Sequence, residues 1–196
     1  MRRTPLITLV AVAALTGCTA QTPSSSQQTS SSAVASAASS SASSTAQPAP
    51  LDPQSVELTN PDAVAEAVAI SSVTYDTSTQ PGPYDAMRAL SALLTTELAA
   101  MYPEPAADAK PSVDAIWAQA RDIGAYNIPA VTTAQPAHGQ PADTGTHVYR
   151  YYEATWTWYG EGGKTIHDGS THAIYITVDK QADDTWLVSQ YDTTAL

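Results

Sequence analysis

The chain has 196 residues, a single cysteine, no phenylalanine and a formal net charge of −11 at pH 7. A surface that acidic is repelled by phosphate backbones and by anionic headgroups, which sets nucleic acid aside as a partner. One cysteine allows no internal disulfide, so a folded domain must be held by packing.

The first element opens with Met1-Arg2-Arg3 and continues as an uncharged, mostly aliphatic run over residues 6–15. Its length suits the h-region of a secretory signal and falls short of the roughly 18 to 20 apolar residues needed to span a bilayer. Leu15-Thr16-Gly17-Cys18 ends it. Small residues before a cysteine suit a peptidase, and a thiol is the nucleophile that can take up a thioether-linked diacylglyceryl group. This run resembles the lipobox of bacterial lipoproteins, over residues 1–18. The resemblance implies a signal peptide over 1–17, a lipid on Cys18 and a place on the extracytoplasmic face of the cell membrane. The competing reading is an ordinary signal peptide that happens to contain a cysteine.

Residues 18–52 read as a tether. Between Thr19 and Pro50 the chain is Ser, Ala, Thr, Gln and Pro with one Val and no charge. Such a segment has too little apolar surface to offset the entropy of ordering, and its serines interrupt any alanine helix. As a flexible coil it spans roughly 30 to 35 Å on average. Residues 53–196 then have the size of one domain. Of the 8 basic residues two are Arg2 and Arg3, which leaves 6 against 19 acidic ones, near −13 for the exported part.

Within that domain Asn60 is placed to cap a helix, with Pro61 at its first position and Asp62 and Glu66 suiting the positive end. Val64, Val68 and Tyr75 share its apolar face, beside Ser71. Gln80-Pro81-Gly82-Pro83 breaks the chain. Met87, Leu90, Leu94, Leu98 and Met101 keep a helical spacing, and Thr95 can cap a separate short helix from Thr96, which places a bend there. Residues 112–122 predict a third helix on Val113, Ile116, Trp117 and Ala120, stopped by Gly124. An irregular strand follows at 126–133, then a Pro- and Gly-containing loop over 135–145. Residues 147–159 alternate, with Val148, Tyr152, Ala154, Trp156 and Trp158 on one face and Glu153, Thr155 and Thr157 on the other. After turns at 160–163 and 167–169, residues 171–179 alternate through His172, Ile174, Ile176 and Val178. Asp183-Asp184 turns into a last strand at 186–191.

Helices followed by antiparallel strands predict an α+β fold, with N-terminal helices packed on one face of a curved sheet. The closing Asp-Asp-Thr-Trp-Leu-Val-Ser-Gln-Tyr, the Pro-Asp-Ala-Val-Ala at 61–65 and the Leu-Leu-Thr-Thr-Glu-Leu-Ala at 93–99 make this order resemble the nuclear transport factor 2-like cone fold. The closest likeness is to exported actinobacterial proteins. Thr96 stands where those proteins usually carry proline. Domains of this kind occur among conjugation and type IV secretion components, where they assemble around a channel behind a transmembrane helix. The resemblance implies a non-catalytic accessory module that contacts other envelope proteins.

The chain carries no His-Glu-x-x-His, paired cysteines, phosphate loop or Gly-x-Ser-x-Gly elbow, so neither metal, cofactor nor catalytic residue is assigned. His172, with Ile174, Tyr152 and Trp156, marks where a cone pocket would lie. His172 would serve there as a general base if a carboxylate such as Asp122 faced it, or otherwise as a rim histidine bonded to a tyrosine hydroxyl. Trp156 and Trp158 are core residues or a ligand platform, depending on which face is buried. Tyr149, Tyr151 and Tyr159, on the opposite strand face, are the interface candidates. A small-ligand-binding lipoprotein is the alternative function, and a lyase or isomerase of the same fold a third.

Overall fold

The computed structural model describes residues 47, 49–106, 115–135, 140–167 and 169–196, with the side chain of His167 left aside; all of them lie in one compact unit. The signal segment, Cys18 and the tether up to residue 46 lie outside the described residues, as do Val113 and the start of the third predicted helix.

Helix α1 spans Pro61–Ser72 and begins as its sequence dictates. Asn60 is extended, and its side-chain oxygen accepts from the backbone N–H of Asp62 and of Ala63. The helix ends before Tyr75, which sits in the following turn rather than on the helix. Helix α2 (Tyr84–Ala89) passes into a 3-10 turn at Ser91–Leu93, and α3 is the short Thr96–Ala99. The helical run expected from 87 to 101 is therefore interrupted, and the separate short helix from Thr96 is capped by Thr95, whose hydroxyl accepts from the Leu98 N–H at 3.3 Å. Leu94 between them is extended and bridges to Val188, while the Thr95 N–H donates to the Val188 carbonyl at 2.8 Å. A strand-like contact here outcompetes helix continuation, and Met101, expected in the apolar stripe, is left 71 % exposed. Helix α4 is described over Ala115–Asp122; it buries Trp117 and Ala120 but not Ile116.

Five strands follow: β1 (Tyr126–Thr133), β2 (His147–Tyr159), β3 (Thr165–His167), β4 (Thr171–Lys180) and β5 (Trp186–Ala195). They form one antiparallel sheet in the order β1-β2-β4-β5, with β3 paired to the end of β2. β3 occupies part of the predicted break, and β5 runs past Tyr191 because Asp192, Thr193, Thr194 and Ala195 pair with β4. A bulge between Thr177 and Val178 sets Ser189 out of register. The β4–β5 turn places Asp184 at φ 67, a left-handed conformation that aspartate tolerates.

Among the described residues, α1 packs on one face of this open, curved sheet, with α3 against β5 and Trp117 of α4 against Trp158, so the α+β expectation of N-terminal helices on a curved antiparallel sheet describes the structure. Val64, Ala65, Val68 and Ala69 of α1 interlock with Val148, Ala154, Ile174, Ile176, Val178 and Val188, all nearly or fully buried. Each Val or Ile taken from water in this way contributes about 1.5 to 3 kcal/mol before entropy is counted. A second cluster joins Trp117, Ala120, Ala125 and Trp158, with Tyr75 and Trp156 against it. Its rings meet edge-on, Tyr75 to Trp117 at 5.0 Å and Trp117 to Trp158 at 5.9 Å, the geometry favoured by ring quadrupoles.

Candidate functional site

The even-numbered residues of β2 face the helices and the odd-numbered ones face away, in the register expected from alternation. Trp158 is 6 % exposed and Trp156 packs on both clusters, so these rings belong to the core side and not to an open platform.

Among the described residues, those expected to line a cone pocket sit in different surroundings. Ile174 is fully buried, and Tyr152 is packed beneath α1 in the main cluster. Burial, with Glu66 nearby, pushes the Tyr152 hydroxyl up to about 12, so it stays neutral. The inside of the cone is filled by α1. His172 lies further along the sheet, its ring 4.8 Å from that of Trp156 and its Nδ1 3.2 Å from Thr193 Oγ1. Its bonding partner is thus a threonine hydroxyl, neither Asp122, which lies exposed at the end of α4, nor a tyrosine. Partial burial lowers the His172 pKa and favours the neutral ring. A neutral imidazole on a hydroxyl can orient that hydroxyl; among the described residues Thr193 is the partner that the ring meets. Beside this pair, a Cβ at Gly169 would overlap the Trp156 carbonyl oxygen, so only glycine lets the chain entering β4 lie against β2.

Two polar groups on the helix side were not anticipated. Arg150 interrupts the apolar alternation of β2 and is held by Asp62 of α1 (Nε–Oδ1 2.5 Å) and Asp143 (Nη1–Oδ2 2.8 Å). Burial works against its charge, and these two carboxylates more than offset that. Asn127 of β1 is completely buried and bonds both Val73 and Tyr75.

The other face of the sheet is the open one. Thr132 of β1, Glu153 and Thr155 of β2, Tyr175 of β4, and Asp192 and Thr194 of β5 are all exposed. Among the described residues no helix lies on it. Tyr149 and Tyr159 stand on this face half-buried, Tyr159 stacked on Tyr126 at 5.8 Å. Tyr151 shares the face but is only 7 % exposed, because Tyr175 leans over it at 4.8 Å and the Ala134 N–H bonds its carbonyl. Tyr151 is therefore a support and Tyr175, 41 % exposed, is the ring presented to solvent.

A cleft of about 330 Å³ lies elsewhere, between α1, α2 and β1. Among the described residues no group of three or more His, Cys, Asp or Glu side chains could hold a metal ion, and no helix is long and apolar enough to cross a membrane.

No family model matches the chain, and no curated protein matches it. Among solved structures, the VirB8 protein of Agrobacterium tumefaciens is similar at 14 % identity, over 68 % of this chain and 92 % of that one, with a TM-score of 0.42.

Proposed function

We propose that this chain is a lipid-anchored, non-catalytic accessory protein of the bacterial envelope, whose domain contacts other proteins through the open face of its sheet. The observation that carries this reading is the face itself. A solvent-facing sheet with Tyr175 presented above Tyr151, and with Tyr149 and Tyr159 beside them, offers rings that are both apolar and hydrogen-bonding. Tyrosine is enriched at interfaces for that reason. The lipobox resemblance at Leu15-Thr16-Gly17-Cys18 supports anchoring, and the Ser/Ala/Thr tether supports presentation at a distance from the headgroups. The resemblance to conjugation and type IV secretion domains directs the search for a partner to assemblies around envelope channels.

The test uses a photo-crosslinking residue placed at Tyr175, with Ile116 on α4 as the control position. The reading expects a discrete adduct from Tyr175 in intact cells, lost on Tyr149→Ala in a folded protein. Identical adducts from both positions, or none from Tyr175, would refute contact through this face. Cys18→Ser should separately release a folded domain from membranes; retention of that variant would refute the anchor.

A further inference from the structure

Helix α1 is apolar on two sides. One side enters the core, while Ile70, together with Ala67 at the margin of the core cluster, lines the floor of the cleft. A helix apolar round most of its circumference needs cover on both sides. Here Ala86, Ala89 and Leu90 of α2 and Ile128 and Pro129 of β1 form the walls, and residues 49–51 pass over as a roof. The cleft is partly open, and its volume of about 330 Å³ is at the small end of ligand sites.

Asp76, at one end, is the charged residue among those lining the cleft. Its Oδ1 accepts from the Ser78 N–H at 2.9 Å and the Ser78 hydroxyl at 2.6 Å. Its Oδ2 accepts from the Thr79 hydroxyl at 3.1 Å and from the side-chain amide of Gln47. A carboxylate offers about four acceptor positions. Three are filled by the turn that Asp76 itself begins. The fourth is filled from the strap, by an exposed glutamine that is 29 residues away in sequence. The fourth position is therefore the one that another donor can take without dismantling the turn.

We propose that the cleft binds a small primary amine with an apolar body. The ammonium replaces the Gln47 amide on Asp76, and the body lies on Ala67 and Ile70 beneath the strap. A charged donor on a carboxylate is roughly twice as strong as a neutral one, so the exchange favours the ligand. Because ligand and Gln47 compete for one oxygen, binding releases the Gln47 amide from Asp76. The site is independent of the sheet face and stands or falls separately from it.

The experiment titrates phenethylamine into the chain from residue 18 onward, carrying Cys18→Ser to keep it in water, and follows the methyl resonances of Ile70 and Ile128. Saturable shifts are expected, with 2-phenylethanol binding about tenfold more weakly for want of the charge. Asp76→Asn keeps the turn's acceptor and should weaken the amine by a similar factor. Gln47→Ala removes the competitor and should tighten it several-fold. Ala67→Leu should abolish binding by filling the floor. Non-saturable shifts would overturn the proposal, as would amine and alcohol of equal affinity or a Gln47→Ala variant that binds more weakly. Tighter binding of Nα-acetyl-lysine methylamide than of phenethylamine would assign the site to a protein's lysine and overturn the small amine. If Asp76→Asn fails to fold by circular dichroism, Gln47→Ala at its exposed position and the alcohol comparison decide the matter.

Discussion

Replacing Asn127 by leucine should unlock the seam between the end of α1 and the edge of the sheet. Asn127 is 0 % exposed; its Nδ2 donates to the Val73 carbonyl at 2.7 Å, and its Oδ1 accepts from the Tyr75 N–H at 2.6 Å. Leucine has nearly the same volume, so little cavity is created and the loss is one of hydrogen bonding. It takes the side-chain bond from the Val73 carbonyl and from the half-buried Tyr75 N–H, at about 1 to 3 kcal/mol each, and we expect a total near 3 to 4 kcal/mol. The backbone bond from the Asn127 N–H to the Tyr75 carbonyl at 2.9 Å survives, which keeps the figure below the upper limit. With a urea m-value of about 2 kcal/mol/M, the midpoint should fall by roughly 1.5 to 2 M at unchanged m. Asn127→Asp separates the two bonds. A carboxylate still accepts from Tyr75 but faces the Val73 carbonyl without a proton, and burial raises its folded pKa. A raised pKa means that its stability is present below the unfolded aspartate range and lost as pH rises. That variant should approach the wild type near pH 4 and fall away toward neutrality. A leucine variant within about 0.5 M of the wild-type midpoint would refute the reasoning, since then neither bond matters to the fold.

Trp158→Ala should cost about 3 to 5 kcal/mol and abolish most near-ultraviolet dichroism, whereas Thr157→Ala on the opposite face should cost well under 1 kcal/mol; equal effects would mean that the β2 register is wrong. The folded pKa of His172 is lowered by burial, so the unfolded state binds more protons as pH falls through the ordinary histidine range. Its contribution to stability is present above about pH 6.5 and lost on acidification, and His172→Gln should flatten the pH dependence of the urea midpoint between about pH 7.5 and 5. An unchanged slope would sink that assignment. Mild proteolysis should trim the chain to a fragment beginning near Gln47 rather than Asp52, because Leu51 packs on the core and Gln47 reaches Asp76; a stable product starting at residue 53 would show that the strap does not hold.

What could be read from the sequence was whatever depends on neighbours along the chain. Asn60 and Pro61 mark the start of α1 because capping is decided within four residues, and the alternation of β2 and β4 separates core from surface because side chains in a strand reverse at each step. What failed depends on segments far apart. The helical spacing of Met87 through Met101 is real, yet the backbone opens at Leu94 because Val188, on the last strand, supplies a better partner for it. The end of β5 is made of polar residues with no apolar alternation, and it is a strand because β4 pairs with it. Arg150 stands on an apolar face because two carboxylates accommodate it, Asp62, 88 residues away, and Asp143, which only the fold of the loop before β2 brings to it. Tyr151 has the face foreseen for it and not the exposure, since Tyr175 of the neighbouring strand covers it.

The same logic explains where the cavity lies. A cone pocket was placed on the sheet from the facing of His172 and Ile174, but the facing of a strand does not say what lies across from it. Helix α1 has so few charged positions that both of its long sides are apolar, and one side settles into the sheet and fills the cone. The other side faces Ala86 and Ala89 of α2, Leu90 just past its end, Ile128 and Pro129 of the edge strand and the strap, which leave the cleft between them. Filling the cone and opening the cleft are thus two results of one helix, and both follow from an apolar composition that binary patterning alone could not assign to one side.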